Sequence, residues 1–163
     1  MKRFLFAFSL IMIAFVACDK DDEEKVVVPD LEEYVKNNFP NAQKTASGVY
    51  IYVTSEGIGP KPVYGEELYA FYEGKLLTDE VFDHRYRDSD TTSNPKKIAE
   101  FPRVFQHDSL SSIKGWYLGM SEINKGSKAI ILMPSSLAYG STSLSKIPAH
   151  SPLRFDVELL YVE

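Results

Sequence analysis

The C-terminal segment of the chain alternates strictly between apolar and charged side chains over residues 153–159. Successive side chains of a β-strand point to opposite faces, so a segment with this pattern buries one face and leaves the other in water. The pattern predicts a strand over 152–162 in an antiparallel sheet with one solvated face. The residues on its apolar side are Leu153, Phe155, Val157, Leu159 and Tyr161.

Three other segments carry strand patterns. From Gly48 the period is two, with Val49, Ile51 and Val53 on one side. Residues 67–73 place Leu68, Ala70 and Tyr72 on one face. Residues 127–133 contain the apolar run 129–132, which is typical of a buried strand. The sequence therefore predicts at least four strands.

Two segments have helical spacing instead. Ile113, Trp116, Tyr117 and Met120 stand at i, i+3, i+4 and i+7, the pattern of a helix with one apolar stripe, which we expect to pack across the sheet. Near the N-terminus, Asp30 is placed to cap a short helix over 31–38. We expect this second helix to be an appendage that covers a sheet edge or dimerises. Strands and helices together predict an α+β fold.

The first residues are typical of an export signal. Lys2 and Arg3 precede the apolar stretch 4–17, which is too short to span a bilayer as a helix, and residues 1–17 are therefore predicted to be a signal peptide. Residues 15–18 resemble a bacterial lipoprotein processing site, which implies lipidation of Cys18. The alternative is that Cys18, the only cysteine, is an incidental thiol.

An acidic segment follows the signal peptide. Residues 19–25 contain no apolar side chain, so we expect residues 18–29 to form a solvated tether. The tether would be a plain spacer or, as its resemblance to the acidic tethers of some Gram-negative lipoproteins implies, a signal that directs the protein to the outer cell face. Residues 30–47 would be the helical appendage and residues 48–163 the folded domain. The net charge of −5 disfavours a nucleic-acid partner, because binding phosphates requires clustered cations.

Common catalytic and cofactor sites find little support. His84, His107 and His150 lack the paired spacing of a zinc site, and one cysteine cannot form an internal disulfide. The chain has neither a nucleophile elbow nor a glycine-rich phosphate loop. We therefore predict no metal, no cofactor and no covalent chemistry.

Several short motifs, taken together, resemble the FKBP-type peptidyl-prolyl isomerases. They stand in the family's order between about Gly48 and the C-terminus. The resemblance implies a curved antiparallel sheet wrapped around one short helix, with the helix over 31–38 as an appendage to it. The motifs are Phe82-Asp83, Ile113-Lys114-Gly115-Trp116, Leu137-Ala138-Tyr139-Gly140, Ile147-Pro148 and 153–160.

The resemblance also implies a proline-binding pocket. Trp116 would form its floor, Asp83 and the Tyr139 hydroxyl would face the substrate carbonyls, and the Ile113 N–H would anchor the peptide. Ile147 would contact substrate. The implied catalytic set is Tyr72, Phe82, Asp83, Ile113, Trp116, Tyr139 and Phe155. Taken singly, such aromatic residues are more often plain core.

Two departures from the family lie within this region. Arg103 stands near the position of another pocket Phe, with Phe101 as a possible substitute, and Ser112 stands where the family usually has Val. The predicted function is therefore a prolyl isomerase of modest activity acting on proline-containing exported proteins. It would be held to a membrane, in our expectation the outer membrane, by a lipid anchor. A non-catalytic peptide-binding or chaperone lipoprotein is the alternative.

Overall fold

The computed structural model describes residues 28–86, 103–108, 110 and 112–162. The predicted signal peptide, Cys18 and nearly all of the predicted tether lie outside these residues. Within the described ranges, no helix is both long enough and apolar enough to cross a membrane.

The described residues form one antiparallel sheet of seven strands, in the order β1-β2-β6-β7-β3-β4, with β5 also paired to β3. The two ten-residue strands, β3 and β7, pair with each other along their length and lie inside the sheet, away from its edges. The strands are β1 Gln43–Lys44, β2 Tyr50–Ser55, β3 Glu67–Leu76, β4 Val81–Arg85, β5 Arg103–Gln106, β6 Lys128–Met133 and β7 Leu153–Val162.

The predicted alternation of β7 is confirmed over residues 153–159. Its apolar residues there are buried, and the charged residues between them are partly exposed. The same holds for β3, where Leu68, Ala70 and Tyr72 are buried. These side chains form the main core on the inner face of the sheet.

The helix α2, Lys114–Met120, packs against this inner face. Two glycines allow the close approach. A Cβ on Gly119 would lie 2.5 Å from Ile131 Cγ2, and one on Gly115 would collide with the Met133 side chain. Because α2 sits this close to β6, Trp116 and Met120 reach into the core, where both are at most 4% exposed.

The helix α1, Leu31–Asn38, begins as predicted. The Asp30 carboxylate accepts a hydrogen bond from the Glu33 N–H at 2.9 Å, which caps the first turn. The helix covers part of the outer face of the sheet, where Val35 packs with Tyr50, Leu77 and Leu132.

This packing corrects two expectations. The outer face is not solvated throughout, because α1 buries Tyr50 there. On the predicted apolar side of β2, Val53 is 38% exposed. The edge of the sheet beside β2 is the short strand β1, which pairs Gln43 with Ile51, whereas α1 packs on the outer face.

Three strands were not predicted: β1, β4 and β5. They are short and carry polar residues, so their periodicity is weak. Both β4 and β5 pair with the same edge of β3, where β5 takes residues 67–70 and β4 takes residues 72–75. The two strands therefore bring Phe82, Asp83, Arg103 and Phe105 to one end of the core.

Candidate active site

A pocket opens on the inner face of the sheet, at the N-terminal end of α2, with a volume of about 170 Å³. It is lined by four strands, by α2 with the two residues that precede this helix, and by the loop that carries Tyr139. All seven residues predicted as catalytic line it, and three that were not predicted do so as well. The lining is Tyr72, Phe82, Asp83, Arg103, Phe105, Ser112, Ile113, Trp116, Tyr139 and Phe155.

The predicted substrate contact Ile147 lies outside this pocket. It is 4% exposed and lines an adjoining recess of about 350 Å³. The recess shares Phe82, Asp83 and Tyr139 with the pocket, so the two form one continuous mouth. The remaining residues of the recess are Leu144, Ser145 and Lys146.

Trp116 forms the base of the pocket. Its ring centroid lies 5.4 Å from that of Tyr72, 4.7 Å from that of Phe105 and 5.2 Å from that of Phe155. Two of these three pairs are edge-to-face, the arrangement that aromatic quadrupoles favour. The indole is only 4% exposed, so it is at once a core residue and part of the pocket lining.

One wall is made by Phe82 and Phe155, whose rings meet edge-to-face at 5.6 Å. Both rings lie over Gly74 of β3, which pairs with Asp83 on one side and with Phe155 on the other. A Cβ at Gly74 would fall within 2.9 Å of each ring. Because Gly74 has no side chain, the Phe82 and Phe155 rings can pack directly against β3.

A small polar network faces the mouth. The Tyr72 hydroxyl donates to Asp83 Oδ2 at 2.7 Å, and the backbone N–H of His84 donates to Oδ1 at 2.9 Å. Arg103 Nη1 donates to the Tyr72 hydroxyl oxygen at 2.9 Å and lies 3.5 Å from Asp83 Oδ2. The carboxylate is thus held in place as a hydrogen-bond acceptor.

The tyrosines of the site stay protonated at physiological pH. Burial, together with the hydrogen bond to Asp83, raises the pKa of Tyr72 to about 12. Burial also raises the pKa of Tyr139, and the Asp83 charge adds to the effect. The Tyr72 hydroxyl therefore keeps the proton that it donates to Asp83, and the Tyr139 hydroxyl remains available as a hydrogen-bond donor.

Two polar atoms of the lining have no hydrogen-bond partner within the described residues. They are the indole Nε1 of Trp116 and the hydroxyl oxygen of Ser112, and both are buried. A buried donor without an acceptor costs about 1–3 kcal/mol.

Phe105, Arg103 and Ser112 complete the pocket but were not predicted as site residues. Arg103 and Ser112 were noted only as departures from the family. The two-residue spacing of Arg103 and Phe105 puts them on one face of a strand, but so short a segment does not by itself predict that strand. That face meets Tyr72, whose ring lies 5.6 Å from Phe105.

Behind the pocket, His107 links the end of β5 to α2. It is 2% exposed, its ring lies 4.6 Å from that of Tyr117, and its Nε2 is 3.0 Å from Ser121 Oγ. That hydroxyl donates to the Tyr117 carbonyl, so it accepts from His107, which places the imidazole proton on Nε2. The buried Nδ1 has no partner among the described residues.

A larger hollow of about 310 Å³ lies on the outer face of the sheet. Its lining includes Glu73, Arg85, Lys128, Asp156 and Glu158. Charged side chains on a sheet face do not exclude water from a ligand, whereas the rings around Trp116 do. We therefore assign the site to the smaller pocket.

The fold is similar to that of solved structures. A crystal structure of FkpA from Escherichia coli is similar at a TM-score of 0.64 and 30% identity, covering 81% of this chain and 55% of that one. A peptidyl-prolyl cis-trans isomerase structure from Pseudomonas syringae pv. tomato shares the fold at a TM-score of 0.64 and 24% identity, covering 84% and 98%.

The family model for FKBP-type peptidyl-prolyl cis-trans isomerases matches residues 59–160. The chain therefore belongs to this family, and the fold predicted from the motifs is confirmed.

Curated relatives agree with this assignment. A peptidyl-prolyl cis-trans isomerase of Saccharomyces cerevisiae is 30% identical over 141 residues, which is 86% of this chain and 31% of the relative. FkpA of Buchnera aphidicola subsp. Schizaphis graminum is 28% identical over 152 residues, covering 92% and 55%. The chain thus spans from a little under a third to a little over half of these relatives.

The burial of His107 predicts a pH-dependent stability. Burial lowers its pKa below the ordinary value of 6.5, against the opposing charges of Glu66 and Asp108. The unfolded chain then binds more protons than the folded one, so stability is full above pH 6.5 and falls as the pH drops below it. Urea denaturation on both sides of that pH measures the loss.

His107→Gln should flatten this dependence, because the titrating group is gone. His150→Gln, at an exposed position, is the matched control and should keep the wild-type slope. An equal slope in His107→Gln and in wild type would show that His107 is not the source.

Proposed function

We propose that the pocket around Trp116 binds the proline ring of a polypeptide and accelerates cis–trans isomerisation of the preceding peptide bond. The observation that carries this proposal is that the rings of Tyr72, Phe105 and Phe155 meet the Trp116 indole at a cavity of about 170 Å³. Phe82 of β4 adds a fourth ring to the lining by packing edge-to-face on Phe155. Membership of the FKBP-type isomerase family supports the same conclusion.

The reaction needs no reactive side chain. Rotation about an X-Pro bond crosses a barrier of about 20 kcal/mol because amide resonance is lost, and no bond to the enzyme is required. A dry, apolar pocket favours the twisted, less charge-separated amide over the planar one. A thousandfold acceleration requires such a preference to be worth about 4 kcal/mol.

The roles follow from position in the pocket. Trp116 would carry the proline ring, with Tyr72, Phe82 and Phe155 as walls. The Tyr139 hydroxyl and the backbone N–H of Ile113 would donate to client carbonyls. In the adjoining recess, Ile147 would contact a residue flanking the proline.

Asp83 would take part by hydrogen bonding and not as a base. Its Oδ2 is already engaged by the Tyr72 hydroxyl, and its side chain is 49% exposed. The carboxylate would orient the client backbone near the twisting amide, where a positioned acceptor is sufficient.

Binding without turnover is the second candidate function. The polar groups of Arg103 and Ser112 favour it, because they line a pocket whose proposed mechanism depends on excluding water. The chain would then act as a peptide-binding or chaperone protein for proline-containing segments. An assay that measures binding and isomerisation separately distinguishes the two.

We expect the clients to be exported proteins and the site of action to be the cell envelope. The sequence of residues 1–18, with its cationic start, apolar stretch and terminal cysteine, supports export and a lipid anchor, with the outer membrane as the expected location. Cys18→Ser should move the protein from the membrane fraction to the soluble fraction. Unchanged fractionation would contradict the anchor.

The proposed activity is tested by a protease-coupled proline peptide assay. Trp116→Leu should lower kcat/KM about 10- to 100-fold, because the floor loses its aromatic surface, a change equivalent to about 1.4–2.7 kcal/mol in transition-state binding.

The matched control is Leu132→Ala, which opens a core cavity on the opposite face of the sheet. It should destabilise the protein by about 2–5 kcal/mol and yet keep kcat/KM within about twofold while the protein is folded. Binding without acceleration by the wild-type protein would favour the second function. Equal activity losses in the two variants would contradict the role of Trp116.

A further inference from the structure

The mouth of the pocket carries a charge opposite to that of the chain as a whole. The chain has a net charge of −5. Among the described residues that line the pocket and the adjoining recess, the ionised groups are Asp83, Arg103 and Lys146, which sum to one positive charge. A positive local charge attracts an anionic group and disfavours a cationic one.

Asp83 does not use up the hydrogen-bonding capacity of Arg103. The carboxylate already accepts from the Tyr72 hydroxyl and from the His84 N–H, at 2.7 and 2.9 Å. Its contact with Arg103 runs through Nη1 alone and is long, at 3.5 Å. A bidentate pair would engage two guanidinium nitrogens on two carboxylate oxygens.

The Arg103 guanidinium is also accessible. Its side chain is 48% exposed while lining the pocket, and within the described residues its hydrogen bonds are made by Nη1. An arginine has five N–H donors. No described residue engages the Nε and Nη2 donors, and a ligand that enters the mouth can bind to them.

Lys146 adds the second cation. It is exposed, lines the recess beside Ile147, and the recess shares Phe82, Asp83 and Tyr139 with the pocket. Arg103 lines the pocket but not the recess, and Lys146 lines the recess but not the pocket. A peptide lying across both would pass two cations.

We propose that Arg103, supported by Lys146, makes this site selective for proline segments with an acidic side chain next to the proline. The inference rests on the proposed binding of proline in the pocket around Trp116. Adjacent Cα atoms are 3.8 Å apart, so a residue flanking a bound proline lies at the mouth. A glutamate there gains a charge-assisted hydrogen bond to the guanidinium, whereas a lysine meets like charge.

The test compares peptides that differ only in the residue before proline: glutamate, glutamine or lysine. At low ionic strength, kcat/KM should be about three- to fivefold higher for glutamate than for its isostere glutamine, the upper part of the range for partly exposed ion pairs. Lysine should be the poorest of the three. The glutamate preference should shrink as salt screens the charges.

Arg103→Gln should bring the glutamate-to-glutamine ratio close to one, and the ratio within each variant corrects for any general loss of activity. The matched control is Lys61→Gln. Lys61 is a cation 52% exposed, paired with Glu122 and absent from the pocket and recess linings. It should leave the ratio unchanged. A wild-type ratio of one, or an equal ratio in wild type and Arg103→Gln, would overturn the proposal.

Binding gives a second readout that does not depend on turnover. Trp116 is the only tryptophan of the chain and lines the pocket, so its fluorescence reports peptide binding there. Tighter binding of the glutamate peptide without isomerisation would support the selectivity while rejecting the catalytic function. No fluorescence response to any of the three peptides would reject both.

Discussion

The structure of the site depends on the contact between the Trp116 indole and aromatic rings from three strands. Tyr72 from β3, Phe105 from β5 and Phe155 from β7 all meet this one side chain within 5.4 Å between ring centroids. The contact is possible because Gly115 and Gly119 let α2 lie directly on β6. The same packing that closes the core thus creates the lining of the pocket.

Because the same aromatic rings form the core and the pocket lining, the site contains few polar groups. The rings supply an apolar surface, and the ordered hydrogen bonds lie at the mouth. There the Tyr72 hydroxyl and the His84 N–H hold the Asp83 carboxylate, and Arg103 donates to the Tyr72 hydroxyl oxygen. Isomerisation of an X-Pro bond requires shape and exclusion of water more than acid or base chemistry. The arrangement is suited to that requirement.

The sequence was most informative where burial alone decides structure. The alternation in β7 and β3, and the helical spacing of Trp116 and Met120, predicted their elements because one face of each is buried in a single core. The pocket lining predicted from the family motifs also came together around α2. The roles of those residues in catalysis remain predictions.

Other features could not be read in the same way. β4 and β5 are short and pair with successive halves of one β3 edge, so their placement depends on long-range partners and not on local period. Phe105 was therefore missed as a pocket residue. The burial of Tyr50 was missed because it depends on α1, an element outside the family-model match, lying on the outer face.

The central claim is that a proline ring enters the pocket against Trp116. The most direct measurement is the set of intermolecular nuclear Overhauser effects between the protein and a bound proline peptide. The account predicts contacts from the pyrrolidine protons to the Trp116 indole and the Phe155 ring. Contacts confined to Phe71 and Ile130, in the hollow on the outer face, would contradict it.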